Sequence, residues 1–335
     1  MPAAGYPRRI AIFGLGAIGS HLAVKCALAG HRVTAIARGE TYKAVADRGI
    51  TLLAGKTELH AEPVTVRTPT EAEEQDLVVV SIKSTSLTDT LGHELAPMIG
   101  ASTAVLFIAN GIPWWYPHMA VSARSINLPL FRIGERILRD LTPERVLGGV
   151  IYSANSVLTP GRVSNNSPDR NRLFFASVGS SADAERTTEE LFTTIDFEVV
   201  RSANILEQVW RKLLISMCVP PICIAAGATA TDIRETPALR ALFGNLLREA
   251  QEIARAQGHL LGLDIEADAL LAGMPDHTPS MIVDYLAGRP IESEATFAAP
   301  VALARATCVP TPALDTLFAV VSHRLSVQTR TGSAT

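Results

Sequence analysis

The stretch RIAIFGLGAIGSHLAVKCALAG, residues 9–30, decides the fold. Arg9–Phe13 reads as a short apolar strand, and Ile18–Ala29 as a helix closed by Gly30. Between them, Gly14-Leu15-Gly16-Ala17-Ile18-Gly19 sets three glycines at fixed offsets across a strand-to-helix turn. In a dinucleotide fingerprint each glycine has its own task. Gly14 makes the tight turn, Gly16 lets a pyrophosphate approach the backbone, and Gly19 lets the helix pack on the strand. The helix N-terminus adds N–H donors and a favourable dipole. A bound dinucleotide is therefore expected, with Gly14, Leu15, Gly16, Ala17, Ile18 and Gly19 as its phosphate cradle.

Outward from this turn the same alternation continues. Arg32–Ala37 is the second strand, Ile50–Leu53 the third, and Asp76–Ile82 and Ala104–Ala109 are near-continuous apolar runs of the kind buried on both faces of a parallel sheet. Parallel neighbours need crossover helices, so the region is expected to be a doubly wound α/β domain. Val146–Ser156, Leu173–Val178 and Phe197–Val200 add strands, with a helix at Asp183–Thr194. From Asn204 the pattern becomes helix after helix: Ile205–Cys218, Ala238–Gln257, Asp264–Ala272, Ser280–Leu286 and Ser293–Ala306, with loops at Pro275, Gly288 and Pro310. The expectation is an N-terminal Rossmann-type domain over residues 1–202 and a C-terminal all-helical domain over residues 203–330. The second would hold substrate and is the candidate surface for a homodimer.

The second strand ends Ala35-Ile36-Ala37-Arg38. NAD enzymes place an acid here for the ribose 2′-hydroxyl, whereas NADP enzymes place an arginine beside the 2′-phosphate. Arg38 lies about 20 residues past the glycines and can pair with a phosphate through two N–H groups, which favours NADPH. Nearby Glu40 could instead touch a ribose.

Composition excludes several other classes. Thirty Lys+Arg against 33 Asp+Glu, a net charge of -3, leave no broad cationic field for nucleic acid. Cys26, Cys218, Cys223 and Cys308 lack metal-ligand or disulfide spacing, so they read as core thiols in a reducing compartment, with no metal site. Arg8-Arg9 before an apolar run imitates an export signal, but the glycines at fixed offsets fit the nucleotide turn better. Leu213–Thr231 carries no charge and could in principle span a bilayer. Pro220-Pro221 at its centre argues for a buried helix broken by a turn. A soluble cytoplasmic protein, with no membrane partner, is expected.

Several further motifs occur in a set order: Val80-Ser81-Ile82-Lys83, Ile108-Ala109-Asn110-Gly111-Ile112, Pro160-Gly161-Arg162-Val163, Glu207–Leu213 containing Trp210-Arg211-Lys212-Leu213, and Gly288-Arg289-Pro290-Ile291-Glu292. Together with the glycine turn they resemble the ketopantoate reductases (2-dehydropantoate 2-reductases). That resemblance implies a Rossmann domain joined to a helical one, NADPH as cofactor, and reduction of a small 2-keto acid to a 2-hydroxy acid at an interdomain cleft. It makes Lys212 the catalytic proton donor to the carbonyl oxygen, a role that a cleft ammonium suits because negative charge develops there. Glu292 matches the glutamate that contacts the cofactor–substrate assembly and helps orient the lysine. Asn110 matches an asparagine bridging nicotinamide ribose and substrate, Lys83 a cofactor-facing lysine, and Ser280 a substrate-binding serine. A serine at position 280 would also suit a helix N-cap.

The chain departs from the family where substrate is recognised. The family has asparagines four and eight residues after the lysine, on one helix face, where this sequence has Ser216 and Pro220. Ser216 can still offer a hydroxyl to substrate. Phe297-Ala298 stands in place of an Asn-Gly, and Ala230 in place of another asparagine. Polar recognition is thinned while the hydride machinery is kept, so a paralogue reducing a less polar 2-keto acid or ketone is an alternative, since unpaired polar groups shift specificity. A non-catalytic NADP(H) sensor is a second alternative, opposed by the retained Lys212 and Glu292. Trp114-Trp115-Tyr116, directly after the Asn110 loop, could wall a substrate pocket or pack between domains or subunits.

Overall fold

The computed structural model describes residues 7–261, 265–274 and 278–332. The start of the expected helix at Asp264 and the loop at Pro275 lie outside these residues. Twelve strands are present among them: β1 (Arg9–Phe13), β2 (Arg32–Ile36), β3 (Ile50–Ala54), β4 (Thr57–Ala61), β5 (Val64–Val66), β6 (Gln75–Val80), β7 (Ile99–Ile108), β8 (Val146–Tyr152), β9 (Asn155–Thr159), β10 (Arg162–Asn165), β11 (Arg172–Ser177) and β12 (Glu198–Arg201).

Eight of them form one sheet in the order β12-β11-β8-β7-β6-β1-β2-β5. From β8 to β5 every neighbour is parallel, whereas β11 runs antiparallel to β8. The central strands are buried on both faces: Ile10, Ala11 and Ile12 and their neighbours Leu77 and Val78 are fully enclosed. This explains their unbroken apolar runs. Phe13 is level with both Ile36 and Val80, so the carboxyl ends of β1, β2 and β6 lie side by side. Ligands collect at that edge of an open α/β sheet.

One expected strand sits elsewhere. Ile50–Leu53 was the natural third strand of the main sheet, but β3 belongs to a separate four-stranded sheet, β4-β3-β10-β9. It pairs in parallel with β10, Leu52 opposite Val163, and the Thr51 N–H donates to the Gly161 carbonyl at 2.9 Å. The short β5 takes its place beside β2, with Val66 opposite Ile36. Length misled here, because three residues carry too little periodicity to announce a strand.

The chain divides into two compact units. One comprises the residues up to Ala109 with Arg132–Ile205, and the other Asn110–Phe131 with the residues from Leu206 onward. The expected unbroken first domain is thus interrupted, because Asn110–Phe131 bonds to the helical residues. Trp210 Nε1–H donates to the Tyr116 hydroxyl at 3.0 Å, the Ile112 N–H to the Ala295 carbonyl at 2.8 Å, and Ser122 Oγ to Gln257 Oε1 at 2.6 Å. Trp114, Trp115 and Tyr116 are all buried.

The helical unit is built on Ile205–Ala226, Pro237–Ala256, Ala299–Ala306 and Pro312–Gly332. The first of these was expected to stop at Cys218 and break at the prolines, yet it runs through both. Proline removes the donors that the Ser216 and Met217 carbonyls would meet, a cost usually large enough to end a helix. Here Pro220, Pro221 and their neighbours Val219 and Ile222 are buried, and packing holds the helix together. Ile205–Ala226 is long and apolar enough to cross a membrane, but 67% of its most apolar window is enclosed by the protein, as in a core helix. Cys26, Cys218 and Cys223 lie in the core as expected, whereas Cys308 is exposed after the end of Ala299–Ala306.

Candidate active site

One cluster of candidate residues is the turn from β1 into helix α1 (Ala17–Leu28). Gly14 has φ +99°, and its N–H donates to the Ile36 carbonyl at 3.1 Å. A Cβ at Gly14 would sit 2.5 Å from Ile82 Cγ2, so this turn admits only glycine. A Cβ at Gly19 would run into the Gly14 carbonyl and lie 2.5 Å from Ser81 Oγ, which itself donates to that carbonyl at 2.8 Å. Gly16 is different: it is exposed, and a Cβ there would meet nothing within 4 Å. It is also the N-cap of α1, with no side chain capping the helix. Its openness therefore serves no internal packing. Uncapped N–H groups at the N-terminus of α1 fit a dinucleotide pyrophosphate. Leu15 is buried beneath the turn, and Ala17 and Ile18 are half-buried.

Two more expected cofactor residues lie along the same edge. Lys83 follows β6 and is exposed, three residues beyond Val80. Arg38 is the N-cap of helix α2 (Gly39–Arg48); its side chain is 71% exposed, with Nη2 3.3 Å from Glu94 Oε2. Exposed pairs of this kind contribute little, so the guanidinium is readily given up to a phosphate. Glu40, the competing ribose reader, is paired with Lys43 at 2.8 Å.

A second cluster of candidate residues lies wholly within the helical unit. Lys212 occupies the long helix Ile205–Ala226, two residues after the buried Trp210. Burial pulls its pKa from 10.5 down to about 8, and the negative charge of Glu292 opposes that fall. Glu292 is itself buried at 8% exposure. Asn110 Nδ2 donates to Glu292 Oε2 at 3.2 Å. The structure thus brings Asn110 and Glu292 into direct contact, with Lys212 in their electrostatic field.

The loop that carries Asn110 is pinned by its neighbour. Gly111 has φ +73°, and a Cβ there would lie 2.7 Å from both the carbonyl carbon and oxygen of Ala295. Ala295 belongs to a π-helical turn, Glu294–Ala298, where a plain α-helix was expected. Such turns insert one residue into a helix and often mark functional positions. Thr296, in the same turn, is a residue that sequence reasoning missed. It is fully buried, its N–H donates to the Glu292 carbonyl at 3.0 Å, and its Oγ1 has no hydrogen-bond partner among the described residues. Its spacing of four from Glu292 was the available signal.

The remaining expected residues are placed less centrally. Ser216 Oγ donates back to the Lys212 carbonyl at 3.3 Å, one turn along the helix. Ser280 is exposed and opens the helix Ser280–Leu286, but the N-cap is Pro279, so the serine does not cap it. Phe297 stacks on Phe318 with ring centroids 4.4 Å apart, which makes that position part of the apolar packing. Ala230 begins the helix Ala230–Glu235 behind a Thr229–Asp232 capping box.

The family model for the ketopantoate reductases (PanE/ApbA) matches residues 10–173, and the model for their C-terminal part matches residues 204–325. This chain belongs to the ketopantoate reductase family. A 2-dehydropantoate 2-reductase from Mesorhizobium japonicum is 34% identical over 329 residues, covering 96% of this chain and 98% of that protein. Among solved structures, 2-dehydropantoate 2-reductase from Methylococcus capsulatus superposes with a TM-score of 0.76 at 24% identity, over 96% of this chain and 97% of that one. D-mandelate dehydrogenase, in a ternary structure with NADH and anilino(oxo)acetate, gives 0.77 at 19% identity over 96% and 99%. These last two share its fold. As a member of the family the chain is a nicotinamide-dependent oxidoreductase acting on CH–OH groups.

Proposed function

We propose that the protein reduces 2-dehydropantoate (ketopantoate) to pantoate with NADPH, using Lys212 as general acid. The observation that carries this reading is the half-buried ammonium of Lys212, its pKa lowered to about 8 by desolvation, in the field of Glu292, which Asn110 holds. When bound, the reduced nicotinamide supplies a hydride to the carbonyl carbon. Lys212 gives its proton to the carbonyl oxygen as negative charge gathers there, so that C=O becomes CH–OH. A donor with a pKa near the working pH is protonated enough to act and acidic enough to let go. The Glu292 carboxylate, held by the Asn110 amide, keeps the ammonium charged and aimed. Gly16, the start of α1, Arg38 and Lys83 hold the phosphates, and Ser280 and Ser216 stand at the substrate end of the proposal.

A less polar 2-keto acid is the second reading, favoured by one feature: the Ser216 hydroxyl is turned to the Lys212 carbonyl. NADPH oxidation with ketopantoate and a panel of aliphatic and aromatic 2-keto acids separates the two. Efficient turnover of ketopantoate alone would remove the second reading, and no turnover of it would remove the first. The proposal extends to a cytoplasmic enzyme that forms a homodimer through its helical domain, tested by sedimentation of the purified protein and fractionation of cells.

A further inference from the structure

Arg38 follows β2 and Arg67 follows β5, and these two strands are parallel neighbours with Ile36 opposite Val66. The Ala37 N–H donates to the Val66 carbonyl at 3.1 Å, so the two chains leave the sheet side by side at its carboxyl edge. Arg38, Gly39, Tyr42, Lys43 and Arg67 line a depression of about 150 Å³ there. The Arg67 guanidinium lies 4.5 Å above the centroid of the Tyr42 ring. Three cations thus surround one small hollow. The acids near them are engaged elsewhere or weakly held: Glu40 pairs with Lys43, the half-buried Glu94 reaches the exposed Arg38 at 3.3 Å, and Glu71 Oε1 accepts from the Arg67 and Thr68 N–H groups as part of a helix cap.

We infer that Arg67, held over the Tyr42 ring, is a second specificity-determining residue that shares the 2′-phosphate of NADPH with Arg38. This rests on the NADPH reading of the cofactor site and assigns the selectivity to two adjacent strand ends instead of one. Stacking on an aromatic ring pre-orients the guanidinium, leaving its N–H edge to meet phosphate oxygens at little entropic cost. Lys43 is the lesser partner, because Glu40 already occupies it. An exposed position such as Arg67 is also one whose loss the fold tolerates.

The test is calorimetric titration with 2′,5′-ADP and with 5′-ADP, which differ in the 2′-phosphate and need no turnover. Wild type is expected to bind 2′,5′-ADP at least about tenfold more tightly than 5′-ADP. Arg67→Ala and Arg38→Ala should each weaken 2′,5′-ADP by about tenfold while changing 5′-ADP less than about twofold. The double variant should bind the two ligands alike. Arg67→Gln, which keeps the stacked chain without the charge, guards against a packing artefact and should behave as Arg67→Ala does. If wild type prefers 2′,5′-ADP and both Arg67 variants keep that preference, the role of Arg67 is refuted while the NADPH reading survives. If wild type shows no preference, both fall together.

Discussion

Asn110 and Glu292, 182 positions apart in sequence, are joined by a 3.2 Å hydrogen bond from the amide to a buried carboxylate. The bond fixes the carboxylate whose charge acts on Lys212, so Asn110 is linked to the lysine through Glu292. Burial depresses the lysine pKa and Glu292 resists, leaving it at about 8.

The first prediction concerns this balance. A general acid must be protonated, so kcat should be flat below pH 7 and fall as the pH rises through about 8. Glu292→Gln removes the charge that holds the pKa up and should move that fall to lower pH. Lys212→Ala should lower kcat by about a hundredfold or more, as loss of a proton donor does, with cofactor binding kept. Wild-type turnover in Lys212→Ala would end the assignment.

Lys212 also carries a stability consequence with a definite sign. Its folded pKa lies below the ordinary 10.5, so the unfolded chain binds the proton more readily, and the native state bears a penalty wherever the lysine is charged. The penalty is complete below pH 8 and relieved as pH climbs towards 10.5. Lys212→Met should therefore be inactive yet more stable at pH 7, by roughly 1–2 kcal/mol after allowance for partial exposure. Urea denaturation at pH 7 and pH 9.5 checks this, because the gain should shrink at the higher pH.

The glycine turn allows folding to be separated from binding. Gly16→Ala adds a methyl group into open space at φ −76°, which strains nothing, so stability should stay within about 0.5 kcal/mol of wild type. The same methyl group would occupy the proposed pyrophosphate position and should weaken NADPH by about tenfold or more. Gly19→Ala must displace the Gly14 carbonyl and Ser81, and should cost roughly 2 kcal/mol or more in stability. Equal effects of the two changes on folding would contradict the separate tasks assigned to these glycines.

Much of this was legible in sequence because the information is local. The turn at Gly14–Gly19 is one contiguous motif, and the apolar runs of β6 and β7 announce strands buried on both faces. What escaped depends on partners far along the chain. Nothing near Ile50 reveals that β3 pairs with β10, more than a hundred residues away. Nothing near Trp114 foretells that the Asn110–Phe131 excursion leaves its own sheet to bond with Trp210, Gln257 and Ala295. The candidate site residues were proposed from motif order, whereas the π-helical turn Glu294–Ala298 has no sequence signature of its own. Pro220 and Pro221 misled because the intrinsic cost of proline was weighed without the packing that offsets it.

Gly111 should prove the most sensitive position of the Asn110 loop. Any side chain there meets the backbone of Ala295 at 2.7 Å, and its φ of +73° strains every other L-residue. Gly111→Ala must lift the loop, stretch the 2.8 Å bond from Ile112 to Ala295 and draw Asn110 away from Glu292. A stability loss of roughly 1–3 kcal/mol is expected. Activity should suffer further, since Asn110→Ala, which leaves the loop in place, should already raise KM and move the kcat pH profile down as Glu292 loses its anchor. If Gly111→Ala were as unstable as expected but kept the wild-type KM and pH profile at low temperature, the loop would be structural only, and Asn110 would have no part in setting the lysine.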